Sequence, residues 1–363
     1  AAFDFTPDAE LAIEIDPRTL VPALVDALAA SAINRASLGV QSFDLRVQAA
    51  INRIQPLEQT KEAVERLRAA GIEAINLDLI YGLPFQTVAS CIDTVRQAVE
   101  LRPDRLAVFG YAHVPSFKQH QRKIDTAALP DGPERLAQAE AIATALIEAG
   151  YEQIGLDHFA LPGDTLAIAA RTGGLHRNFQ GYTTDHCPTL IGFGASSIGR
   201  LPGGFVQNSV LIGDYQQRVA DGQLPVTRQC ATTSEDERRS AVIMRIMCDY
   251  RVDLSADLDL IDQDALTALQ ADGLITREGA VITVTEEARP LVRAVAAAFD
   301  AYLDEDAGRL ALCPHPLLPV DVLVLRVPHH DHPPRRRSEA PRSGCARSAC
   351  PSGSPGGSPP SAG

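Results

Sequence analysis

The chain has 363 residues, of which 45% are hydrophobic, enough for a sizeable core and, we expect, two domains. Its formal net charge of −13 argues against nucleic acid or an anionic membrane as a partner. No apolar run approaches the roughly 18 residues that a membrane-spanning helix needs. Seven scattered cysteines are typical of a reducing compartment. We therefore predict a cytoplasmic protein, and we expect a monomer because no sequence feature suggests an oligomer.

Short β-rich runs alternate with amphipathic helical patterns over residues 1–160. The predicted strands are 11–16, 35–40, 74–82, 105–111 and 151–159. The intervening helices have predicted apolar faces of Ala63, Val64, Leu67 and Ala70; Val88, Ile92, Val95 and Val99; and Leu136, Ala139, Ala143 and Leu146. Strand–helix alternation predicts an α/β fold with a parallel sheet, whose ligands bind at the carboxyl ends of the strands.

The rest of the chain divides into three further segments by composition. Residues 161–232 are poorly periodic and rich in Gly, Thr, Asn and Gln, which predicts a loop-rich region with a functional role. Residues 233–305 follow the order helix, helix, hairpin, helix, so we predict a mostly helical, winged-helix-like packing or lid domain. Residues 313–363 contain 11 of the 25 prolines, and we predict a disordered tail, with an out-of-frame origin as a hypothesis.

Several polar residues lie in or just after the predicted strands. Glu14 interrupts the first strand, and Asp78 interrupts an apolar run in the third. Gln41 follows the second strand, Arg53 follows a short helix, and Ala112 ends the fourth strand. An acid in a buried parallel strand is either paired within the fold or offered to a ligand. From the pattern alone, a carboxylate on a solvated sheet edge is the favoured interpretation of Glu14.

Two further motifs lie in the loop-rich region. The string HRNFQGYTT suits a polyanionic ligand, because arginine binds carboxylates in a bidentate manner; a hydrogen-bonded surface loop is the alternative. Its candidate substrate contacts are Arg177, Asn178, Gln180 and Tyr182. The string GFGASSIGR has glycines at phosphate-loop spacing but lacks the required Lys-Ser/Thr. We therefore predict a glycine-rich turn packed against another backbone segment.

Taken in order, seven strings resemble the oxygen-independent coproporphyrinogen III oxidase family of the radical-SAM superfamily. They are AIEIDPR, NRASLGVQSF, NLDLIYGLPFQT, PDRLAVFGYAHVP, QRKI, GYEQIGLDHFALP and HRNFQGYTT. The resemblance extends from the amino terminus to about residue 303. It implies a partial radical-SAM β/α barrel followed by the helical domain. It also implies an oxidoreductase that converts coproporphyrinogen III to protoporphyrinogen IX in haem biosynthesis.

The resemblance also implies cofactors and their contacts. The family uses a 4Fe-4S cluster and S-adenosylmethionine, and an unidentified electron donor would reduce the cluster. By matching position, Glu14 and Ile198 would contact a cluster-bound S-adenosylmethionine, whereas Gln41, Arg53, Asp78 and Ala112 would contact a second one. The sequence contains no C-x-x-x-C-x-x-C loop, so no metal ligand is assigned within it. We expect the chain as printed to be an amino-terminally truncated, inactive fragment, with its first strand left as a sheet edge.

Two alternatives remain open at this point. The first is a haem-binding, chaperone-like relative from the same superfamily that does not decarboxylate its ligand, although HRNFQGYTT argues against it. The second is a structural β/α domain without activity.

Overall fold

The computed structural model describes residues 5–6, 9–116, 118–178 and 181–302. A six-stranded sheet of order β1-β2-β3-β4-β6-β5 organises the first half. Its strands are β1 (Ala12–Ile15), β2 (Arg35–Gln41), β3 (Ala74–Tyr81), β4 (Arg105–Gly110), β5 (Glu152–Ile154) and β6 (His158–Ala160). The first four strands are mutually parallel, and β6 runs antiparallel to both β4 and β5. The predicted parallel α/β sheet is thereby confirmed.

Alternating side chains give the sheet one apolar and one polar face. Leu38, Leu77 and Leu106 point to the apolar face and are fully buried. Helices that follow the strands contribute to the same core. These helices are α1 (Pro22–Ala29), α3 (Leu57–Ala69), α4 (Val88–Glu100) and α5 (Gly132–Glu148), whereas the short helix α2 (Leu45–Ala50), between β2 and α3, contributes no residue to this core. The opposite face carries Ser37, Asn76 and Asp78, and it is the candidate site.

The predicted apolar face of α3 is confirmed, but those of α4 and α5 are offset. In α4 the buried residues are Cys91, Thr94, Val95 and Ala98. In α5, Leu136 is 44% exposed, while Arg135 and Gln138 are buried. The polar residues face inward because α5 begins over loops with backbone groups that need partners. Gln138 accepts a hydrogen bond from the backbone of Gly82 and donates one to that of Gln86.

The single strand predicted at 151–159 is wrong. Gly155 adopts φ +57°, and the chain reverses there to form β5 and β6 as an antiparallel pair. Glycine is required at this turn, because a Cβ atom would lie 2.0 Å from the ring of Tyr182. Periodicity alone could not show this turn, since the residues on either side are compatible with continuous strand.

Residues 161–232 contain more regular structure than the predicted loop-rich region. Their elements are α6 (Thr165–Thr172), β7 (His176–Asn178), β8 (Gly181–Thr183), β9 (Ile198–Leu201), β10 (Gly204–Asn208), α7 (Ile212–Ala220) and β11 (Val226–Ala231). Strands β7 and β8 form a hairpin, and β9 to β11 form a separate antiparallel sheet. The glycine-rich turn packs as predicted: a Cβ on Gly192 or Gly199 would lie 2.8 Å from a backbone oxygen.

The carboxyl-terminal part follows the predicted order of helix, helix, hairpin, helix. It comprises α8 (Ser234–Asp249), β12 (Arg251–Asp253), α9 (Gln263–Ala271), β13 (Ile275–Glu278), β14 (Val281–Val284) and α10 (Val292–Ala297). The unpredicted strand β12 pairs with β14 and completes a three-stranded sheet. Ile246, Val292 and Phe299 are fully buried in its core.

Some predictions are left untested. The boundaries 1–160, 161–232 and 233–305 stay predictions. Gln180 and the predicted disordered tail, 313–363, lie outside the described residues. Within the described ranges, none of the helices combines the length and the apolar character needed to cross a membrane.

Candidate functional site

A row of polar side chains crosses the open face of the sheet. The backbone register pairs Glu14 with Ser37 and Ser37 with Asn76, so the three lie side by side on successive strands. Asn76 Nδ2 donates to Asp78 Oδ1 and to Ser37 Oγ, both at 2.7 Å. The Ser37 hydroxyl lies 3.1 Å from Asp78 Oδ2. Ser37 and Asn76 thus fix the orientation of the Asp78 carboxylate.

Both carboxyl groups of this row bind protons more readily than usual. Burial raises the pKa of Asp78, and hydrogen bonds from Asn76 and Ser37 oppose that effect only in part. The pKa of Glu14 is raised by loss of solvent contact and then by the charge of Asp78, although Glu14 lies at the exposed end of the row. A cationic or hydroxyl-bearing ligand would relieve this cost by solvating the carboxylates.

Arg53 forms a corner of the site beside β1 and β2. Its guanidinium donates to Asp16 Oδ2 at 3.1 Å and to the Gly39 carbonyl at 2.7 Å, while its buried Nε has no hydrogen-bond partner in the described ranges. A hydrogen bond from Arg18 is the main reason that the pKa of Asp16 falls to about 2, so this carboxylate stays ionised.

Gln41 adopts φ +70°, a conformation that costs a non-glycine residue free energy and is concentrated at functional sites.

The structure does not join all the predicted cofactor residues in one hydrogen-bonded group. The Ala112 carbonyl accepts a hydrogen bond from Gln121 Nε2 at 2.9 Å, just beyond β4. Ile198 begins β9, in the separate antiparallel sheet, where it pairs with Gln207. Neither apolar side chain can form the polar contacts available to Glu14 or Asp78. The roles of Ala112 and Ile198 therefore stay predictions.

The predicted substrate residues lie on the β7–β8 hairpin. The Arg177 guanidinium stacks 4.9 Å from the centroid of the Tyr182 ring. The Tyr182 hydroxyl accepts from the Leu156 N–H at 3.1 Å and donates to the Met247 carbonyl at 3.0 Å. That hydroxyl is therefore already engaged, and Tyr182 contributes to this site by supporting Arg177. Asn178 ends β7.

Sequence reasoning missed a buried charged group next to Arg177. Asp157 is 8% exposed and lies 2.7 Å from His158 Nδ1 and 3.7 Å from Arg293 Nη2. Burial raises the pKa of Asp157, but the hydrogen bond to His158 and the charges of Arg177 and Arg293 outweigh it, so the net shift is downward. The pair Asp157-His158 was visible in the sequence, although the single-strand prediction hid its position at a turn. No local sequence signal identifies Arg293.

The opposite end of the sheet is built differently. At the amino ends of β2 and β4, Arg35 and Arg105 share the buried carboxylate of Asp164 at 3.4 and 2.8 Å. Arg105 also donates to Thr165 Oγ1 at 2.9 Å. Asp164 neutralises much of this charge, although the buried Arg35 Nη1 has no hydrogen-bond partner among the described residues. We expect ligands at the carboxyl ends of the strands because parallel β/α folds bind their ligands there.

A cavity of about 490 Å³ lies beside the β7–β8 hairpin. Its walls include Arg177 and Asn178, the cations Arg200 and Arg239, and the apolar side chain of Met244. The lining extends to Tyr302, where the described residues end. It does not include the Asp78 row, so the cavity and the open sheet face are separate features that both border on the hairpin.

The described residues do not fit an iron–sulfur cluster. No group of three or more His, Cys, Asp or Glu side chains in them could hold a metal ion. Cys91 and Cys248 are buried in separate cores, and desolvation raises the pKa of both thiols to about 12, which disfavours the thiolates that metals bind. Any cluster ligands lie outside the part that the structure describes.

Comparison with known proteins gives consistent results. The family model described as the Radical SAM superfamily matches residues 3–98. An oxygen-independent coproporphyrinogen III oxidase from Bradyrhizobium diazoefficiens is 55% identical over 312 residues, covering 84% of this chain and 69% of the relative. A relative of the same name from Thermostichus vulcanus is 41% identical over 320 residues, 85% of this chain and 98% of its own length.

The structure of coproporphyrinogen III oxidase from Escherichia coli, a radical SAM enzyme, also matches. Its TM-score is 0.79 at 40% identity, and the match covers 83% of this chain and 72% of that one. This match confirms the radical-SAM fold class, and none of these relatives supports the haem-chaperone alternative. The chain belongs to the oxygen-independent coproporphyrinogen III oxidases, oxidoreductases of the radical SAM superfamily that act in haem biosynthesis.

Proposed function

We propose that this protein acts in the oxidative decarboxylation of coproporphyrinogen III to protoporphyrinogen IX. The observation that carries the proposal is the 55% identity across 84% of the chain to a relative of that name. In this reaction each of two propionate side chains becomes a vinyl group and loses one carbon dioxide, one hydrogen atom and one electron. The protein must therefore hold a polyanionic substrate next to an oxidising cofactor and keep water away from the reacting carbon.

The polar row suits S-adenosylmethionine, which when bound supplies the hydrogen-atom abstraction. The carboxylates of Glu14 and Asp78 match an ammonium group or ribose hydroxyls, and the buried Arg53 Nε is a donor suited to a carboxylate. We propose two bound molecules per intact protein. Glu14 and Ile198 contact one, and Gln41, Arg53, Asp78 and Ala112 contact the other.

The β7–β8 hairpin supplies the proposed substrate contacts. Arg177 binds a propionate carboxylate, Tyr182 holds the guanidinium in place by stacking, and Asn178 and Gln180 donate hydrogen bonds. The buried Arg177 Nε, which has no hydrogen-bond partner in the described part of the chain, supports this assignment.

The remaining proposals concern partners and location. We propose a cytoplasmic monomer that receives electrons from an unidentified donor protein and binds neither nucleic acid nor membrane. The net charge of −13 supports the last point, since phosphate backbones and anionic lipids repel an acidic surface.

Anaerobic turnover tests the function. The chain is reconstituted with iron, sulfide and a reductant, supplied with S-adenosylmethionine and coproporphyrinogen III, and assayed for protoporphyrinogen IX by chromatography. A fusion to the part of the Bradyrhizobium relative that this chain does not match is assayed in parallel. We expect product from the fusion only. Product from neither would overturn the proposed function, and product from the chain alone would overturn the prediction that it is inactive as printed.

Calorimetric titration tests the S-adenosylmethionine contacts. Arg53→Ala should weaken binding about tenfold or more, since a hydrogen bond to a charged group contributes about 1.5–3 kcal/mol. The matched control is Arg96→Ala, because Arg96 is 72% exposed on α4 and remote in sequence from the polar row. Equal affinities for the two variants would remove Arg53 from the site.

A further inference from the structure

His158 lies on the open face of the sheet, in the same row as Asp78. The backbone register pairs Asp78 with Ala107 and Ala107 with His158. The neighbouring residues Leu106 and Phe159 belong to the apolar core, so Ala107 and His158 point to the opposite, polar face. Within this row, only the methyl group of Ala107 separates Asp78 from His158.

The imidazole of His158 is held in one orientation. Its ring packs edge-to-face against Phe109, with centroids 5.9 Å apart, and against Tyr182, with centroids 5.4 Å apart. Its Nδ1 lies 2.7 Å from Asp157 Oδ1. The net shift of the pKa of Asp157 is downward, so this carboxylate is ionised and can only accept a hydrogen bond. Nδ1 therefore carries a proton, and Nε2 is the atom at which the charge of the ring can change.

The Nε2 edge of His158 borders on the β7–β8 hairpin. A Cβ atom on Gly181, the first residue of β8, would lie 3.5 Å from Nε2. The side chain of His158 is 15% exposed, and none of the residues that the structure describes hydrogen-bonds to Nε2. The Tyr182 ring that contacts His158 also carries the guanidinium of Arg177, 4.9 Å from its centroid. His158 and Arg177 therefore lie against the same aromatic ring.

Charged groups approach His158 from several elements. Asp157 precedes it in the β5–β6 turn and also lies 3.7 Å from Arg293 of α10. Burial raises the pKa of Asp78 on β3, and the charge of His158 is one of the influences that oppose this. Arg177 approaches from β7. A proton on Nε2 would stabilise an anion bound next to Arg177, whereas an unprotonated Nε2 would face that anion with a lone pair.

We propose that His158 is a further substrate-binding residue, which donates a hydrogen bond from a protonated Nε2 to the propionate carboxylate that Arg177 binds. This inference rests on the proposed function and deepens it, because it adds a second contact to the same carboxylate. Asp157 is a positioning residue that fixes the ring and stabilises the imidazolium. The contact depends on pH, since an imidazole changes its charge between about pH 5 and pH 8.

Binding of coproporphyrin III, the oxidised and fluorescent form with the same propionates, tests the contact. Its fluorescence anisotropy is titrated with the wild-type chain and with His158→Asn from about pH 6 to about pH 9, a range over which carboxyl groups of ordinary pKa stay ionised. The wild-type Kd should rise about tenfold or more across this range, because neutral His158 has no proton on Nε2. Asparagine keeps a donor near the position of Nδ1 but has no group in place of Nε2. Its Kd should be about tenfold above that of the wild type at about pH 6 and should change little with pH.

A second variant and a matched control accompany this titration, and circular dichroism establishes that each variant is folded. The amide of His158→Gln can reach the position of Nε2 and donate a hydrogen bond, but it does not titrate. Its Kd at about pH 6 should lie between those of the wild type and His158→Asn, without the pH dependence. The exposed His120→Asn should keep both the wild-type Kd and its pH dependence.

The possible failures are distinguishable. A wild-type Kd that does not change with pH, or a pH dependence that persists in the His158 variants, would overturn the contact. Calorimetric titration with S-adenosylmethionine identifies the ligand: if folded His158→Asn binds it more weakly but binds coproporphyrin III normally, the propionate contact is wrong. Absence of coproporphyrin binding by the wild-type chain would also overturn the contact, whereas protoporphyrinogen IX formation by the fusion protein would still support the proposed function.

Discussion

The hydroxyl of Tyr182 joins the sheet region to the carboxyl-terminal helices, and its removal should destabilise the protein strongly. The group accepts from the Leu156 N–H in the β5–β6 turn and donates to the Met247 carbonyl in the last turn of α8. Carbonyls in the last turn of a helix have no partner within the helix. Tyr182→Phe keeps the ring and creates no cavity, but it leaves both backbone groups without this partner.

The magnitude follows from the burial of the two groups. A buried donor or acceptor left unsatisfied costs about 1–3 kcal/mol. Met247 is 2% exposed, so its carbonyl should bear most of that cost, whereas Leu156 is only half-buried. We expect Tyr182→Phe to lower the free energy of unfolding by about 3 kcal/mol, with little change in the denaturant dependence.

Tyrosine-to-phenylalanine substitutions at two other positions serve as controls, and circular dichroism monitors the urea unfolding of each variant. Tyr151, which is 4% exposed, donates a single hydrogen bond of 2.7 Å to the Pro103 carbonyl, so Tyr151→Phe should cost about 1 kcal/mol. Tyr302 is 50% exposed and donates to Asp236, so Tyr302→Phe should cost less than about 0.5 kcal/mol. A cost for Tyr182→Phe no larger than that for Tyr151→Phe would refute the proposed bridging role.

Three further perturbations test other parts of the structure. Gly155→Ala should lower the free energy of unfolding by about 3 kcal/mol or more, because the new Cβ atom would clash with Tyr182. The control Gly150→Ala, at φ +91° with no atom within 4 Å of the new Cβ, should lower it by only about 1 kcal/mol. Equal losses of stability for the two variants in thermal unfolding would contradict the clash. Burial raises the pKa of Asp78 above its usual 3.8, so ionisation of this carboxyl group opposes folding as the pH rises above that value. The free energy of unfolding of Asp78→Asn, relative to that of the wild type, should therefore be higher at pH 7 than at pH 4. The opposite order in urea unfolding would refute the raised pKa. Asp164→Ala removes the carboxylate shared by two buried arginines and should lower the free energy of unfolding by about 3 kcal/mol without changing the affinity for S-adenosylmethionine. If calorimetric titration shows that the folded variant binds S-adenosylmethionine more weakly than the wild type, the purely structural role of Asp164 is contradicted.

The sequence was sufficient for features set by local periodicity. The first four strands are found within one or two residues of their predicted bounds, because alternating apolar residues such as Ile75, Leu77 and Leu79 can bury only one face of a strand. The same alternation puts Asp78 on the opposite face, so its prominence as a ligand candidate was also a local property. The family, too, was identifiable from short strings in order.

Only the tertiary structure decided how remote charges combine. Arg135 is not among the residues of the predicted apolar face of α5, but it is buried because that helix begins over polar loops rather than over the hydrophobic core. Arg293 reaches Asp157 from 136 positions further along the chain, a pairing that no periodicity encodes. The turn at Gly155 is required by the Tyr182 ring that packs against it. Local pattern reports which side of an element is apolar, whereas the partner of a buried charge depends on the packing of the whole fold.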